Sequence, residues 1–153
     1  MFAIRFLQEP VPQEWLVHYE QAVLAEIVIN EFRERLALVV EHWTKADYER
    51  QWVDGIEKLI SGGPDAKSLL VTQFYRTPNT WYAAECWPLY RHGETAYMHN
   101  LYVPSKGLKH QITLEELYEK IGVREKGVSE WTVSIDELKE WLAELKSHPT
   151  PEE

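Results

Sequence analysis

The sequence contains one cysteine and no long uncharged run. Cys86 cannot form a disulfide within the chain, so nothing in the sequence requires an oxidising compartment. No uncharged apolar stretch approaches the roughly 18 residues that a transmembrane helix needs. The short apolar start is interrupted by Arg5, which argues against a signal peptide. We therefore expect a cytoplasmic protein that does not enter a membrane.

Basic residues are also scarce. Lys and Arg number 16 against 25 Asp and Glu, which gives a formal net charge of −9. Proteins that bind the phosphates of nucleic acids normally present clustered Lys and Arg, so nucleic acid is not the predicted ligand. The acidic excess lies near both ends of the chain, in residues 1–31 and 134–153. A basic protein partner fits this charge, although acidic ends also keep a small domain in solution.

Motifs for catalysis and for metal binding are missing. The six histidines show no paired spacing such as H-x-H or H-E-x-x-H, so we predict neither a metal site nor a cofactor. Glu85 and Cys86 are neighbours in a predicted strand and point to opposite faces, which prevents them from acting as base and nucleophile. Glu85 lies among Tyr82, Trp87 and Tyr90, where a carboxylate could line an aromatic cleft. The simpler interpretation is that Glu85 is a strand residue facing solvent.

Three capping signals predict the starts of three helices. In each of them a Ser or Thr precedes an Asp or Glu by three residues, so that both side chains satisfy free backbone N–H groups. The first helix should end near residue 61, before two glycines and a proline, and the last before Pro149. The three pairs are Thr44 with Asp47, Thr113 with Glu116, and Ser134 with Glu137.

Apolar and β-branched residues predict strands on both sides of the first helix. Residues 13–25 are left open between a short helix and an irregular segment. The whole pattern predicts an α+β fold, a twisted and mostly antiparallel sheet with about three helices packed on it, forming a single domain at residues 1–148 with a disordered tail at 149–153. The predicted strands are 2–7, 26–30 with 32–40, 68–76, 80–91, 95–103 and 128–133.

Four segments share a pattern of aromatic and strand residues: EIVINEFRERLALVVEHW at 26–43, DYERQWVDGIEKLI at 47–60, CWPLYRHGETAYMHN at 86–100 and SEWTVSIDELKEWL at 129–142. In this pattern the chain resembles the immunity proteins of bacterial contact-dependent growth inhibition (CDI) systems, which are small cytosolic antitoxins. The resemblance implies a protein that is not an enzyme and that blocks the active site of a cognate toxin C-terminal domain. Toxins of such pairs are often nucleases.

We interpret most residues that carry the resemblance as fold-defining. Residues 104–128 show less of the pattern. The matching residues are Trp43, Tyr48, Gln51, Trp52, Trp87, Pro88, Tyr90, Arg91, Gly93, Asn100, Ser129, Glu130 and Trp131.

The last predicted helix supplies a candidate contact surface. Glu137, Glu140 and Glu144 fall at i, i+3 and i+7, so they form an acidic stripe opposite the apolar face of the helix. Nucleases commonly display basic clefts for phosphate, which such a stripe would complement. The sequence also leaves open another protein-binding or scaffold module, or an enzyme with an unrecognised carboxylate site.

Overall fold

The computed structural model describes residues 1–17, 21–76, 82–104 and 111–147. Within these ranges the chain forms eight β-strands and three α-helices, and every strand pair is antiparallel. The α+β class is therefore confirmed, with the strands divided between two sheets. The boundary predicted at residue 148 and the tail after it lie outside the described residues.

The first sheet consists of β1 (Phe2–Phe6), β2 (Ala22–Ile29) and β3 (Phe32–Val39) in that order. The stretch left open at 13–25 contains a short 3-10 helix and the start of β2. The chain reverses between β2 and β3 at Asn30, whose φ of 57° lies in the left-handed region that Asn tolerates better than most residues. The two sequence segments at 26–40 therefore belong to a hairpin.

The second sheet has five strands. Its order is β4-β5-β6-β8, and β7 pairs with β5 beside β6. The predicted strand at 95–103 is interrupted at His99 and Asn100, which divides it into β6 and β7. The predicted link at 77–79 lies outside the described residues, whereas Gly93 forms the β5–β6 turn at a φ of 61°. The strands are β4 Lys67–Arg76, β5 Tyr82–His92, β6 Thr95–Met98, β7 Leu101–Pro104 and β8 Trp131–Ser134.

All three predicted helices are present, and each begins at its predicted capping pair. They are α1 (Lys45–Ser61), α2 (Leu114–Lys120) and α3 (Ile135–Ser147). Reciprocal hydrogen bonds join the capping residue and the acid three positions later in every case. Among the described residues no helix combines the length and the apolar character needed to span a bilayer.

Helix α1 lies unusually close to β4 because Gly55 has no side chain. A Cβ atom at this position would lie 2.4 Å from the carbonyl oxygen of Leu69, a distance that real Cβ atoms do not reach. The Ser68 hydroxyl donates a hydrogen bond of 2.7 Å to the Gly55 carbonyl. The close approach brings the polar side chains of the helix to the backbone of the strand.

Two buried side chains of α1 hydrogen-bond to the free edge of β4. The amide of Gln51 donates to the Leu69 carbonyl at 2.9 Å and accepts from the Val71 N–H at 2.7 Å. The indole N–H of Trp52 donates to the Val71 carbonyl at 2.7 Å. Since a buried backbone group without a partner is costly, these contacts replace the neighbouring strand that β4 lacks on this side.

Similar contacts join the two sheets. The Tyr48 hydroxyl donates to the Val39 carbonyl at 2.8 Å and accepts from the Phe74 N–H at 3.1 Å. The amide of Gln73, next to an irregularity in the β4–β5 pairing, donates to the Ala37 carbonyl at 2.8 Å and accepts from the Val39 N–H at 2.7 Å. The end of β3 is thereby attached to β4 through side chains.

Side chains also cover the edges of β1 and β8. The indole of Trp141 on α3 donates to the Ile4 carbonyl at 3.3 Å, and the Asn30 amide donates to the Thr132 carbonyl at 2.9 Å. Trp52 and Trp141, which the sequence places on apolar helix stripes, are both buried. Residues of both sheets and all three helices contribute to one hydrophobic core.

Substitution of Gln51 tests the contacts between α1 and β4. Gln51→Leu retains side-chain size but leaves two buried backbone groups unpaired, so we expect a loss of about 2–4 kcal/mol in the free energy of unfolding. Urea melts would measure it, with exposed Asp54→Ala on the same helix as the control, expected within about 0.5 kcal/mol of wild type. Equal losses in the two variants would show that these hydrogen bonds contribute little.

Candidate functional site

The acidic stripe predicted on α3 consists of one residue used by the fold and two exposed residues. Glu137 accepts a hydrogen bond from the Ser134 hydroxyl at 3.1 Å and lies 3.1 Å from the N-terminal ammonium of Met1. Burial raises the pKa of Glu137, but hydrogen bonds from the ammonium and from Ser134 outweigh it and lower the pKa. Glu140 and Glu144 are exposed. The solvent-facing part of the stripe is therefore Glu140 and Glu144.

A second acidic surface lies where the two sheets meet. Gln73, Glu85 and Tyr102 are cross-strand neighbours on β4, β5 and β7, and they share the face of the second sheet that is turned towards β3. From β3, Glu34 belongs to the row of alternate residues that includes Phe32, whose ring packs against aromatic rings of the second sheet. Glu34 and Glu85 therefore lie on facing sides of the two sheets, close enough for their charges to interact, and we call the region between them the cleft.

The carboxylates of Glu34 and Glu85 have no hydrogen bond or ion pair within the described part of the chain. Burial raises the pKa of Glu85, and the charge of Glu34 raises it further. Burial also raises the pKa of Glu34. The expectation that Glu85 faces solvent is thus only partly right, because the side chain is half-buried against β3. Both carboxylates are destabilised in their charged forms.

A cluster of aromatic rings joins the two sheets next to Glu85. The rings of Phe32 and Trp131 lie 4.7 Å apart, and those of Trp87 and Trp131 lie 5.2 Å apart. The Trp87 indole also donates to the Thr72 hydroxyl at 3.2 Å. Tyr102, the cross-strand neighbour of Glu85 on β7, is exposed over 46% of its surface. Glu85 therefore has the aromatic cluster beside it along β5 and the exposed Tyr102 ring beside it on β7.

Several residues of the family pattern have structural roles. The Arg91 guanidinium donates to the Leu59 and Ile60 carbonyls at 3.2 and 2.8 Å, so it satisfies the last turn of α1. Glu130 binds Arg124 through two hydrogen bonds of 2.7 Å and lies 2.8 Å from the His99 ring nitrogen. The bonds from Arg124 and His99 lower the pKa of Glu130 to about 2. These residues define the fold, as the sequence predicts.

Cys86 is fully buried, and burial together with the Glu85 charge raises the pKa of its thiol to about 12. A thiol with such a pKa is not a nucleophile near neutral pH. The described part of the chain holds no group of three or more His, Cys, Asp or Glu side chains arranged for a metal ion. Cys86 is therefore a core residue of β5.

Two residues of the cleft are not foreseen from the sequence. Glu34 occupies an inward position in the apolar alternation of residues 32–40, and this charged residue on an apolar face was the available signal. Tyr102 carried no signal, because its exposure depends on β7 lying at an edge of the sheet.

Comparisons with known proteins place the chain in a family. The CdiI N-terminal domain family matches residues 38–141, and the chain belongs to this family. The predicted relationship to CDI immunity proteins is confirmed. The chain is also similar to one in a solved structure, the CdiA-CT/CdiI toxin and immunity complex from Enterobacter cloacae, at 25% identity and a TM-score of 0.77. That similarity covers 96% of this chain and 99% of the other. The curated proteins gave no significant match.

The Glu85 carboxylate makes stability depend on pH. The pKa of Glu85 is higher in the folded protein than in the unfolded chain, so the folded state favours the neutral carboxyl. The resulting stabilisation is fully present below the pKa of the unfolded state, and it is lost as pH rises through the pKa of the folded state. Glu85→Gln, which is always neutral, should therefore raise the melting temperature at pH 7.5 by a few degrees, on the order of 1 kcal/mol. Near pH 4 the two proteins should melt alike. Calorimetry at both pH values measures this, and lower stability of the variant at pH 7.5 would contradict it.

Proposed function

We propose that the protein is an immunity protein that binds and neutralises the C-terminal toxin domain of its own CDI system. The observation that carries the proposal is the similarity, over nearly the whole of both chains, to a chain of a toxin and immunity complex. Membership of the CdiI N-terminal domain family supports the same role. The proposed partner is a protein, and the proposed place of action is the cytoplasm of the producing cell.

The charge of the protein favours a basic partner. Its formal net charge is −9, and within the described residues no ion pair involves Glu140 and Glu144 of α3 or Glu34 and Glu85 of the cleft. A nuclease binds phosphates through a basic cleft, so we propose that the toxin is a nuclease and that the bound immunity protein covers its active site. In this proposal the protein inhibits by occupying the active site and has no catalytic role of its own.

Co-expression tests the proposed role most simply. The toxin domain encoded by the neighbouring gene should arrest growth alone and should not do so when this protein is present. The purified proteins should form a complex detectable by calorimetry, and the toxin's turnover of nucleic acid should stop on binding. The immunity protein alone should show no turnover. Growth arrest that persists together with no complex at micromolar concentrations would contradict the proposal.

Charge reversal tests the exposed part of the α3 stripe. Glu140→Lys with Glu144→Lys should slow association with the toxin domain by about tenfold at low salt, because electrostatic steering is lost. The dissociation rate should change much less, and the difference from wild type should shrink from 0.01 to 0.15 M salt as the Debye length falls from ~30 to ~8 Å. Stopped-flow kinetics at several salt concentrations measures both rates. Glu137 is left intact because it also stabilises the fold.

The matched control has the same change in charge on a different helix. Glu115→Lys with Glu119→Lys alters two exposed glutamates of α2. A specific role of α3 requires the control to slow association clearly less than the α3 variant. Equal effects would show that only the net charge matters, and an unchanged rate in the folded α3 variant would remove α3 from the encounter surface.

A further inference from the structure

Half of β3 has a strand edge that side chains of the described residues do not cover. The Val40 N–H points to β2, where it donates to the Gln21 carbonyl at 3.1 Å, so the backbone groups of odd-numbered β3 residues point away from β2. Those of Ala37 and Val39 bind Gln73 and Tyr48. The backbone groups at positions 33 and 35 have no such partner among the described residues.

The side chains beside this edge differ on its two faces. On the outer face Arg35 pairs with Glu9 at 2.6 Å, and Arg33 pairs at 3.3 Å with Glu26, which also pairs with a second arginine at 3.4 Å. On the inner face lies Glu34, opposite the second sheet with Glu85 and exposed Tyr102. The open edge therefore lies next to an exposed aromatic ring and to two carboxylates that have no cationic partner among the described residues.

We propose that the open edge of β3, together with Glu34, Glu85 and Tyr102, is the docking surface for an extended basic segment of the toxin domain. This inference rests on the proposed function and assigns the surface of the protein that contacts the toxin domain. An extended segment supplies backbone hydrogen bonds at positions 33 and 35, where the described part of the chain offers none. Its inward side chains reach the cleft, where a Lys or Arg neutralises the two carboxylates and packs against Tyr102.

Charge selects this occupant over a second copy of the chain. Two β3 edges paired with each other would bring two sets of Glu34 and Glu85 together, and the repulsion of like charges opposes such a dimer. A basic segment of the toxin would instead be attracted to these carboxylates. The assignment also separates two roles: exposed glutamates of α3 steer the encounter, whereas the β3 edge holds the bound complex and sets the dissociation rate.

The first test removes the two negative charges of the cleft and keeps the size of both side chains. Glu34→Gln with Glu85→Gln should weaken the affinity for the purified toxin domain at least tenfold, mainly through faster dissociation, while the free variant melts at a higher temperature than wild type at pH 7.5. Glu115→Gln with Glu119→Gln has the same change in charge on α2 and should alter dissociation less than twofold. Surface plasmon resonance and calorimetry provide these values.

The second test removes a backbone donor from the edge. Proline at position 35 lacks the outward N–H but leaves the bonds of β3 to β2 in place, because they involve even-numbered residues. Arg35→Ala loses the same pairing with Glu9 and keeps the N–H, so it is the matched control. We expect Arg35→Pro to dissociate at least fivefold faster than Arg35→Ala, with circular dichroism showing both folded.

The outcomes separate this surface from the proposed function. If the wild-type protein binds the toxin domain but the cleft variant binds with wild-type affinity, the docking surface is overturned and the immunity role stands. Equal dissociation of the Arg35→Pro and Arg35→Ala variants, both folded, overturns the strand pairing. If the wild-type protein fails to bind the toxin domain, the proposed function itself fails, and the docking surface fails with it.

Discussion

The fold depends on the attachment of α1 to the edge of β4. Gln51 and Trp52 bind the backbone of β4, and Tyr48 joins β3 to β4 with hydrogen bonds buried in the core. Gly55 makes the attachment possible, because any larger residue would meet the Leu69 carbonyl. Buried hydrogen bonds to backbone groups are directional, so they determine how α1 lies on the sheet, which nonspecific apolar packing would determine less strictly.

The need of backbone groups at strand edges for hydrogen-bond partners also indicates where the protein could bind another chain. Edges that carry unpaired backbone groups invite contact with other chains, and in this protein side chains from other elements bind the edges of β1, β4 and β8. The half of β3 that no described side chain covers lies beside carboxylates whose charged forms are disfavoured by burial. A partner that supplies hydrogen-bond donors and positive charge would pair the backbone groups of the edge and stabilise the charged carboxylates. The same partly buried carboxylates would then lower the stability of the free protein and raise its affinity for a basic partner.

The local parts of the fold follow from the sequence, and the long-range parts do not. Capping pairs such as Thr44 with Asp47 predict the helix starts, because the interaction spans only three residues. The way the two sheets are joined depends on contacts such as that of Gln73 with Val39, 34 positions apart, which no local pattern reveals. Glu137 shows the ambiguity at the site: its position predicts both a cap and a member of an acidic stripe, and the structure assigns its carboxylate to the cap.

Hydrogen–deuterium exchange of the protein with and without its toxin domain tests the central claim most directly. The outward amides of positions 33 and 35 should exchange rapidly in the free protein, whereas the Val71 amide, bound by Gln51, should be protected in both states. Addition of the toxin domain should slow exchange at positions 33 and 35 and leave Val71 unchanged. Unchanged exchange across 32–36 in a saturated complex would contradict the account.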